Sequence, residues 1–509
     1  MILYSLGKML IEYMLEWILH ALICLPVLFL IYYTWRRRDL NANSRQFRGE
    51  TGFPIIGSSY LLFGKDEDVL LKFVGYLKRY PGLEPTKLWL GPSLIIFFTD
   101  PNHIEKIMLS QNFSHKMTQL YDIIKNFIGE GLITTSGSMY RRHKKVIAPM
   151  LDLNFTNSCC EILQKYSNAC FTEMKAYCNN ETFDISHFFH EKFSMITSES
   201  ILGRKLDSTK DHQLMKDAAE VYDIAFYRLV RLWIHPDIFY KLTSVWKLEQ
   251  GLTKRNEIFF QEVIDKSRER VRAGEIYKND FIAIVDKLAE RIENQPDLMD
   301  DKLFRDHMYT LLLASEDTLT IVSSFLCVCL GMYPEYQKKV AEELRAHFGE
   351  TYKNVSLEDI GNLPYLDMCI KETLRIVPIA PLVFRNVLED CEIGGWKISK
   401  DSYICVPIFH VHRDKRFWEN PEHFHPDHFL PEIEKQRPNY AYLPFTAGNR
   451  GCIGKIFANV NIRIFMASFL QRFEVEADGK LPDIKFRSDA STRPVHGYNV
   501  RIKERVWRS

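Results

Sequence analysis

The sequence predicts a mainly α-helical chain with a minor β-sheet, carried on an N-terminal transmembrane helix. Three observations predict it. Trp17 to Trp35 is nineteen residues without a formal charge, followed at once by Arg36, Arg37 and Arg38. From about residue 102 to 375 apolar positions recur at helical spacing, with Lys and Glu on the opposite face. Short β-branched and aromatic runs cluster around two turn signals, Gly91-Pro92 and Gly394-Gly395.

As a helix, the first run spans roughly 28 Å, close to the ~30 Å of a hydrocarbon core. A cleaved signal peptide has a shorter apolar run ending in small residues, and three arginines stand here instead. Positive charge favours the cytosolic side. Residues 1–38 therefore read as a membrane anchor with a single span. Residues 39–57, with a rigid turn at Phe53-Pro54, read as a linker or hinge, and 58–509 as one cytosolic domain.

Along that domain, the stretch within 80–100 around Gly91-Pro92 reads as a hairpin. Leu303 to Leu330 is apolar enough to suggest a second span, but Arg305, Asp306, His307, Glu316 and Asp317 are too costly in lipid. A helix through the middle of a globule is expected, ended by Gly331 and Pro334. Strand-like runs return at 382–408, a helix at about Lys455–Phe473, and strand-like pieces close the chain.

Composition limits what the domain does. The 509 residues carry a net charge of +1, which leaves no cationic excess for nucleic acid. No pair of the eleven cysteines has C-x-x-C spacing, and the odd, scattered set suits a reducing compartment. His410, His412, His423, His425 and His428 invite a zinc reading, but prolines break the run and no cysteine joins it.

One cysteine is set apart. Pro444 to Gly454 (PFTAGNRGCIG) places Cys452 on a glycine-rich loop at the start of a helix, where the dipole favours a thiolate. Gly448, Gly451 and Gly454 allow tight turns or a close flat ligand. Arg450 can clamp a carboxylate beside the sulfur. Sulfur on iron and guanidinium on a propionate would suit a haem.

The run Phe445-x-x-Gly448-x-Arg450-x-Cys452-x-Gly454 resembles the haem-binding signature of the cytochromes P450 at every fixed position. The resemblance implies the P450 fold, haem b, Cys452 as the axial thiolate on iron, and Phe445 shielding the sulfur. It also implies Glu372 and Arg375 as a buried structural pair, found here 80 residues before Cys452. The pair's third member is an arginine in the family and His428 here, which fills the part by donating to Glu372. On the oxygen-activating helix the family's acid–alcohol pair matches Asp317 and Thr318. These would deliver protons at a break in the helix, with Ser315 replacing a glycine. Haem propionates would be bonded by Arg450, Arg385, His412 of His412-Arg413-Asp414, and Tyr140 and Lys144 in place of Trp and Arg.

Text such as EIGGWKISKD is similar to microsomal family-4 members, particularly those of insects. That implies an endoplasmic reticulum membrane protein and a monooxygenase. It would insert one atom of O2 into a lipophilic substrate of the fatty-acid, other lipid or xenobiotic class. Electrons would come from NADPH–cytochrome P450 reductase, with cytochrome b5 an optional second donor. The family's ester-forming glutamate is Ala314 here, so no ester link to haem is expected. Substrate would meet 112–135, 221–247, 310–318, Pro378–Val383 and Ser491–Gly497, and the aromatic 221–247 stretch would dip into the bilayer. Two alternatives stay open: an isomerase or dehydratase acting on a peroxide, against which the retained Asp317 and Thr318 count, and a catalytically silent haem-binding membrane protein, motivated by the joint departures at Ser315, His428, Tyr140 and Lys144.

Overall fold

A computed structural model describes residues 2–179, 181–206, 209–278, 281–489 and 491–507. It is mainly helical with small sheets, as the sequence predicts. Two helices are long and apolar enough to cross a membrane, and burial separates them. The window in Tyr13–Arg36 has 0% of its residues buried, and that in Asp301–Met332 has 83%. The first belongs to the helix Ile2–Arg36, and the second is the core helix of the domain.

That core helix starts where Asp300 caps it, its side chain accepting from the Leu303 N–H at 2.8 Å. It ends at Met332, with Pro334 opening the next helix. Gly331 does not stop it, contrary to expectation. A Cβ there would lie 2.7 Å from the Ala477 backbone N, so the glycine admits a close crossing. The C-terminal helix Lys455–Arg472 packs on the core helix and is largely buried. Phe189, Phe193, Phe465 and Phe469 fill the space around it, with ring centroids of Phe193 and Phe465 4.6 Å apart. Each fully buried phenylalanine contributes about 1.5–3 kcal/mol by leaving water.

The main sheet joins distant parts of the chain. Thr86–Leu90 and Ser93–Phe97 form the expected antiparallel hairpin, Tyr403–Val406 pairs parallel to its second strand, and Val383–Asn386 closes the far edge. Within 382–408, Cys391–Ile393 and Trp396–Ile398 pair separately. Their two-residue turn needs positive φ twice, which Gly394 (+58°) and Gly395 (+88°) supply. The segment 39–57, expected as a linker or hinge, lies along the sheet's first strand. Phe47 is buried, Arg48 bridges to Thr86, Gly57 bridges to Leu90, and the Arg37 guanidinium sits 4.7 Å over the Trp89 ring.

Candidate functional site

The thiol loop is folded back on itself. The Cys452 N–H donates to the Phe445 carbonyl at 3.0 Å, and Gly448–Arg450 makes one tight helical turn between them. Thr446 is β-branched yet sits at φ +55°, a costly conformation of the kind concentrated at functional loops. Gly448, at φ +66°, serves the loop's seating rather than a ligand. A Cβ there would lie 1.9 Å from the Met108 carbonyl oxygen. Gly454 differs: within 4 Å its Cβ would meet only Cys452 Sγ, at 3.9 Å, so a flat group has room beside the sulfur.

The helix begins at Lys455, with Gly454 as its N-cap. The Cys452 side chain is accessible although it lies deep in the fold, so it opens onto an internal cleft. Burial raises the thiol's pKa, while the Gly454 N–H and the charges of Lys455 and Lys144 pull the other way without winning. The expected dipole-favoured thiolate is therefore not a property of the chain alone; a coordinating metal deprotonates such a thiol outright.

Ala314, Ser315 and Thr318 are accessible positions in the middle of the core helix, set between buried neighbours. The expected helix break is absent. Ser315 Oγ donates to the Leu311 and Leu312 carbonyls (2.8 and 3.0 Å), and Thr318 Oγ1 to that of Ala314 (2.8 Å). Hydroxyls bonded back in this way bend a helix without opening it. The serine hydroxyl is thus turned back on its own helix. Asp317 is buried, with Oδ1 2.6 Å from Arg493 Nη2 and Oδ2 accepting from Ser491 Oγ at 2.9 Å. Beside it, Glu316 accepts from Ser194 Oγ at 2.9 Å, and burial pushes its carboxyl up to about 8.

Three cations converge with no acid among them. Arg385 is 3% exposed, and its Nη1 donates to the Phe384 carbonyl at 2.9 Å. Arg450 stacks 3.6 Å over the Tyr140 ring and donates Nη2 to the Thr135 carbonyl at 2.8 Å, while its Nη1 is buried without a partner. Lys116 Nζ donates to the Ile133 carbonyl at 2.6 Å. Burial, then the charges of Arg450 and Arg385, drive the Lys116 amine well down, and burial brings Arg450 to about 10. Among the described residues no Asp or Glu pairs with any of the three. Buried charge on this scale needs a counter-ion, and a dianionic ligand beside the sulfur supplies one. The residues present fit a haem and its two propionates. Lys116 carries no sequence signal and was missed.

Three residues expected at the propionates make protein contacts here. Tyr140 Oη and Lys144 Nζ both donate to the Asn449 carbonyl, at 3.0 and 2.5 Å, and so brace the thiol loop. His412 is fully buried. Its Nε2 accepts from the Leu443 N–H at 2.8 Å, so Nδ1 carries the proton facing the Arg375 carbonyl at 3.2 Å. Burial, then the Arg375 charge, drives its pKa down to about 3.

Behind the loop, Arg375 forks onto Glu372 through Nε (2.8 Å) and Nη2 (2.7 Å), and donates to the carbonyls of His412, Pro421 and His423 at 2.8 Å each. Glu372 also accepts from the His425 N–H at 2.8 Å. His428 Nδ1 lies 3.2 and 3.3 Å from its two oxygens, and Nε2 lies 2.7 Å from the Glu419 carbonyl. Burial works to raise Glu372, but the Arg375 charge and the bonds from Arg375 and His428 hold it at about 2.

The buried histidines set a pH dependence. His412 and His307 are fully buried, and burial brings each from 6.5 to about 3. The unfolded chain takes up their protons below about 6.5 while the folded chain does not. Stability present above that pH is therefore lost on acidification, on the order of 1 kcal/mol per pH unit for each histidine. Glu316, raised to about 8, acts oppositely between 8 and 4.5. Two histidines outweigh one acid, so the denaturant midpoint should fall from pH 6.5 to 5, and Glu316→Gln should steepen the fall. A flat profile in both chains would contradict this.

Residues 47–501 match the family model Cytochrome P450. The chain is 27% identical over 465 residues to Cytochrome P450 4V2 of Mus musculus, covering 89% of this chain and 88% of that one. It is 26% identical over 466 residues to the Homo sapiens protein of the same name, at the same coverage. To Cytochrome P450 4c3 of Drosophila melanogaster it is 25% identical over 499 residues, covering 94% and 93%.

Proposed function

The chain belongs to the cytochrome P450 family and is a haem-thiolate monooxygenase of that type, and from this premise we propose a membrane-anchored enzyme that oxidises lipophilic molecules with electrons from a separate reductase. The observation that carries the proposal is the accessible Cys452 thiol on a loop flanked by buried cations that lack an acid partner; the accessible Ala314–Thr318 face would close the site from the core helix. The haem, when bound, supplies the iron at which O2 is activated. Cys452 would hold that iron from the loop side. Arg450, Arg385 and Lys116 would hold the propionates, the first with its unpartnered Nη1. Phe445, half-buried beside the loop, would keep water from the sulfur. Thr318 and Asp317 would pass protons to the oxygen side.

The anchor would be residues 1–38, with the domain on the cytosolic face of the endoplasmic reticulum. Trp233, Ile238, Phe239 and Leu242 are all more than half exposed. Beneath them Arg228 ties the turn together through Asp237 Oδ1 (2.6 Å) and the His235 carbonyl (2.9 Å). A stiff turn with an apolar tip suits immersion in lipid, and with it substrates of the fatty-acid, other lipid or xenobiotic class. On the loop side, Arg141, Lys145 and Lys455 are exposed around the apolar Leu109, Met139 and Ile456. That face would receive an acidic reductase domain, with cytochrome b5 as an optional second donor.

The test is product formation by the holoenzyme with NADPH and reductase. Thr318→Ala should lower product per NADPH consumed, on the order of 10²-fold where general-acid supply is lost. Product formed equally well without NADPH would mean an isomerase or dehydratase. No product from any lipid or xenobiotic, with a normal haem spectrum, would mean a haem-binding protein without turnover.

A further inference from the structure

Asp317 is held from outside its own helix, by a hairpin that the thiol-loop chemistry does not use. The hairpin pairs Phe486–Ser488 with Thr492–Pro494. Both oxygens of the carboxylate are committed to it, one to Arg493 (2.6 Å) and one to Ser491 (2.9 Å). Arg493 leans in turn on Asp489 at 3.2 Å, and Asp489 stands 3.8 Å from Arg487. A chain of alternating charge thus runs from the outer end of the hairpin to the core helix. Glu316, His190, Tyr222 and Tyr498 also stand around Asp317. Among the described residues, Arg493 is the cation that pairs with it.

The residue between the two contacts is fastened elsewhere. Thr492 is fully buried, its N–H donating to the Ile379 carbonyl (3.1 Å) and its Oγ1 to the Pro378 carbonyl (2.7 Å). Successive side chains on a strand point to opposite faces. So one short strand grips the turn after the Glu372–Arg375 helix with Thr492 and the core helix with Arg493. The guanidinium end has nowhere to drift, and it fixes the carboxylate it meets.

We infer that Arg493 is a positioning residue for proton delivery: its ion pair sets the orientation of Asp317 next to Thr318, so the hairpin, not the core helix alone, determines how protons reach the cleft. This rests on the reading of Asp317 and Thr318 given above. A lysine keeps the charge but loses the fork, and a methionine keeps the length and loses both.

The experiment uses the reductase-coupled holoenzyme and a substrate that the parent turns over. In Arg493→Met the share of NADPH electrons recovered in product should fall by roughly 10-fold, with peroxide rising to match, and Arg493→Lys should restore at least half of the loss. Arg493→Met on top of Asp317→Asn should be no worse than Asp317→Asn alone, as expected of residues acting as a unit. A readout independent of turnover accompanies it. Arg493→Met leaves a buried carboxylate unpaired and should lower the unfolding midpoint by roughly 5 °C, and Asp317→Asn in the same chain should recover most of that. A lowered midpoint with parental coupling, or losses that multiply in the double variant, would overturn the role of Arg493. If Asp317→Asn and Thr318→Ala both couple like the parent, the proton-delivery reading itself fails first.

Discussion

Cys452→Ser should abolish both the thiolate-type Soret shift of the reduced carbon monoxide complex and all NADPH-dependent turnover. The reason lies in what no other residue can replace. Cys327, Cys329, Cys369 and Cys405 are buried with thiols driven up by burial, and none is on the loop. Cys452 is the accessible cysteine at the cleft, and a serine oxygen is a harder, poorer donor to iron than a thiolate. The variant should still hold some haem, because Arg385, Arg450 and Lys116, which would hold its propionates, are untouched. Haem content and spectral type therefore separate: the first falls partly, the second changes wholly. A thiolate-type shift that survives the substitution would remove Cys452 from the iron.

The same contrast between local and assembled features explains what the sequence revealed. The loop was legible because its requirements are local. Gly448 must reach positive φ beneath Met108, Gly454 must leave room beside the sulfur, and Arg450 must stand two residues from the thiol. Glu372 and Arg375 were legible because one helical turn sets their spacing. Lys116 and Arg493 were not, since each acts only where a distant loop or hairpin brings it. His412 was expected at a propionate from the resemblance of His412-Arg413-Asp414 to the family's turn; its ring nitrogens bond backbone groups that only the folded chain brings to it. The bonds from Tyr140 and Lys144 to the Asn449 carbonyl were not legible either, because that carbonyl reaches them from a loop 309 and 305 residues away. The pairing of Arg48 with Thr86 and of Gly57 with Leu90 was hidden for a similar reason: backbone pairing is invisible to composition.

Glu372→Ala should yield no folded, haem-loaded protein, whereas His428→Ala should fold with a lowered midpoint and faster haem loss. Glu372 is the acceptor for four donors: two from Arg375, one backbone N–H from His425, and the His428 ring shared over both oxygens. Its removal strands the Arg375 guanidinium at 0% exposure, and breaking such a pair costs about 3–5 kcal/mol. That is a large share of the about 5–15 kcal/mol by which domains are stable, before the loss of haem is added. His428 contributes less, because its bonds to Glu372 are long and Arg375 still neutralises the acid. Its loss also removes the bond to the carbonyl of exposed Glu419, at about 0.5–1.5 kcal/mol. His428→Arg, which restores the family's residue, tests whether the histidine is a substitute or a replacement. Arg437 already stacks 3.7 Å over Trp418 and donates to the His428 carbonyl, and Trp418 packs edge-on against the His428 ring. A second guanidinium would have to enter beside the first. His428→Arg should therefore lower the midpoint as well, by like-charge crowding, while His428→Arg with Arg437→Gln should regain the parental value. If the single His428→Arg chain instead gains stability and holds haem longer, then Arg437 is a bystander and the histidine is only a weaker copy of the arginine.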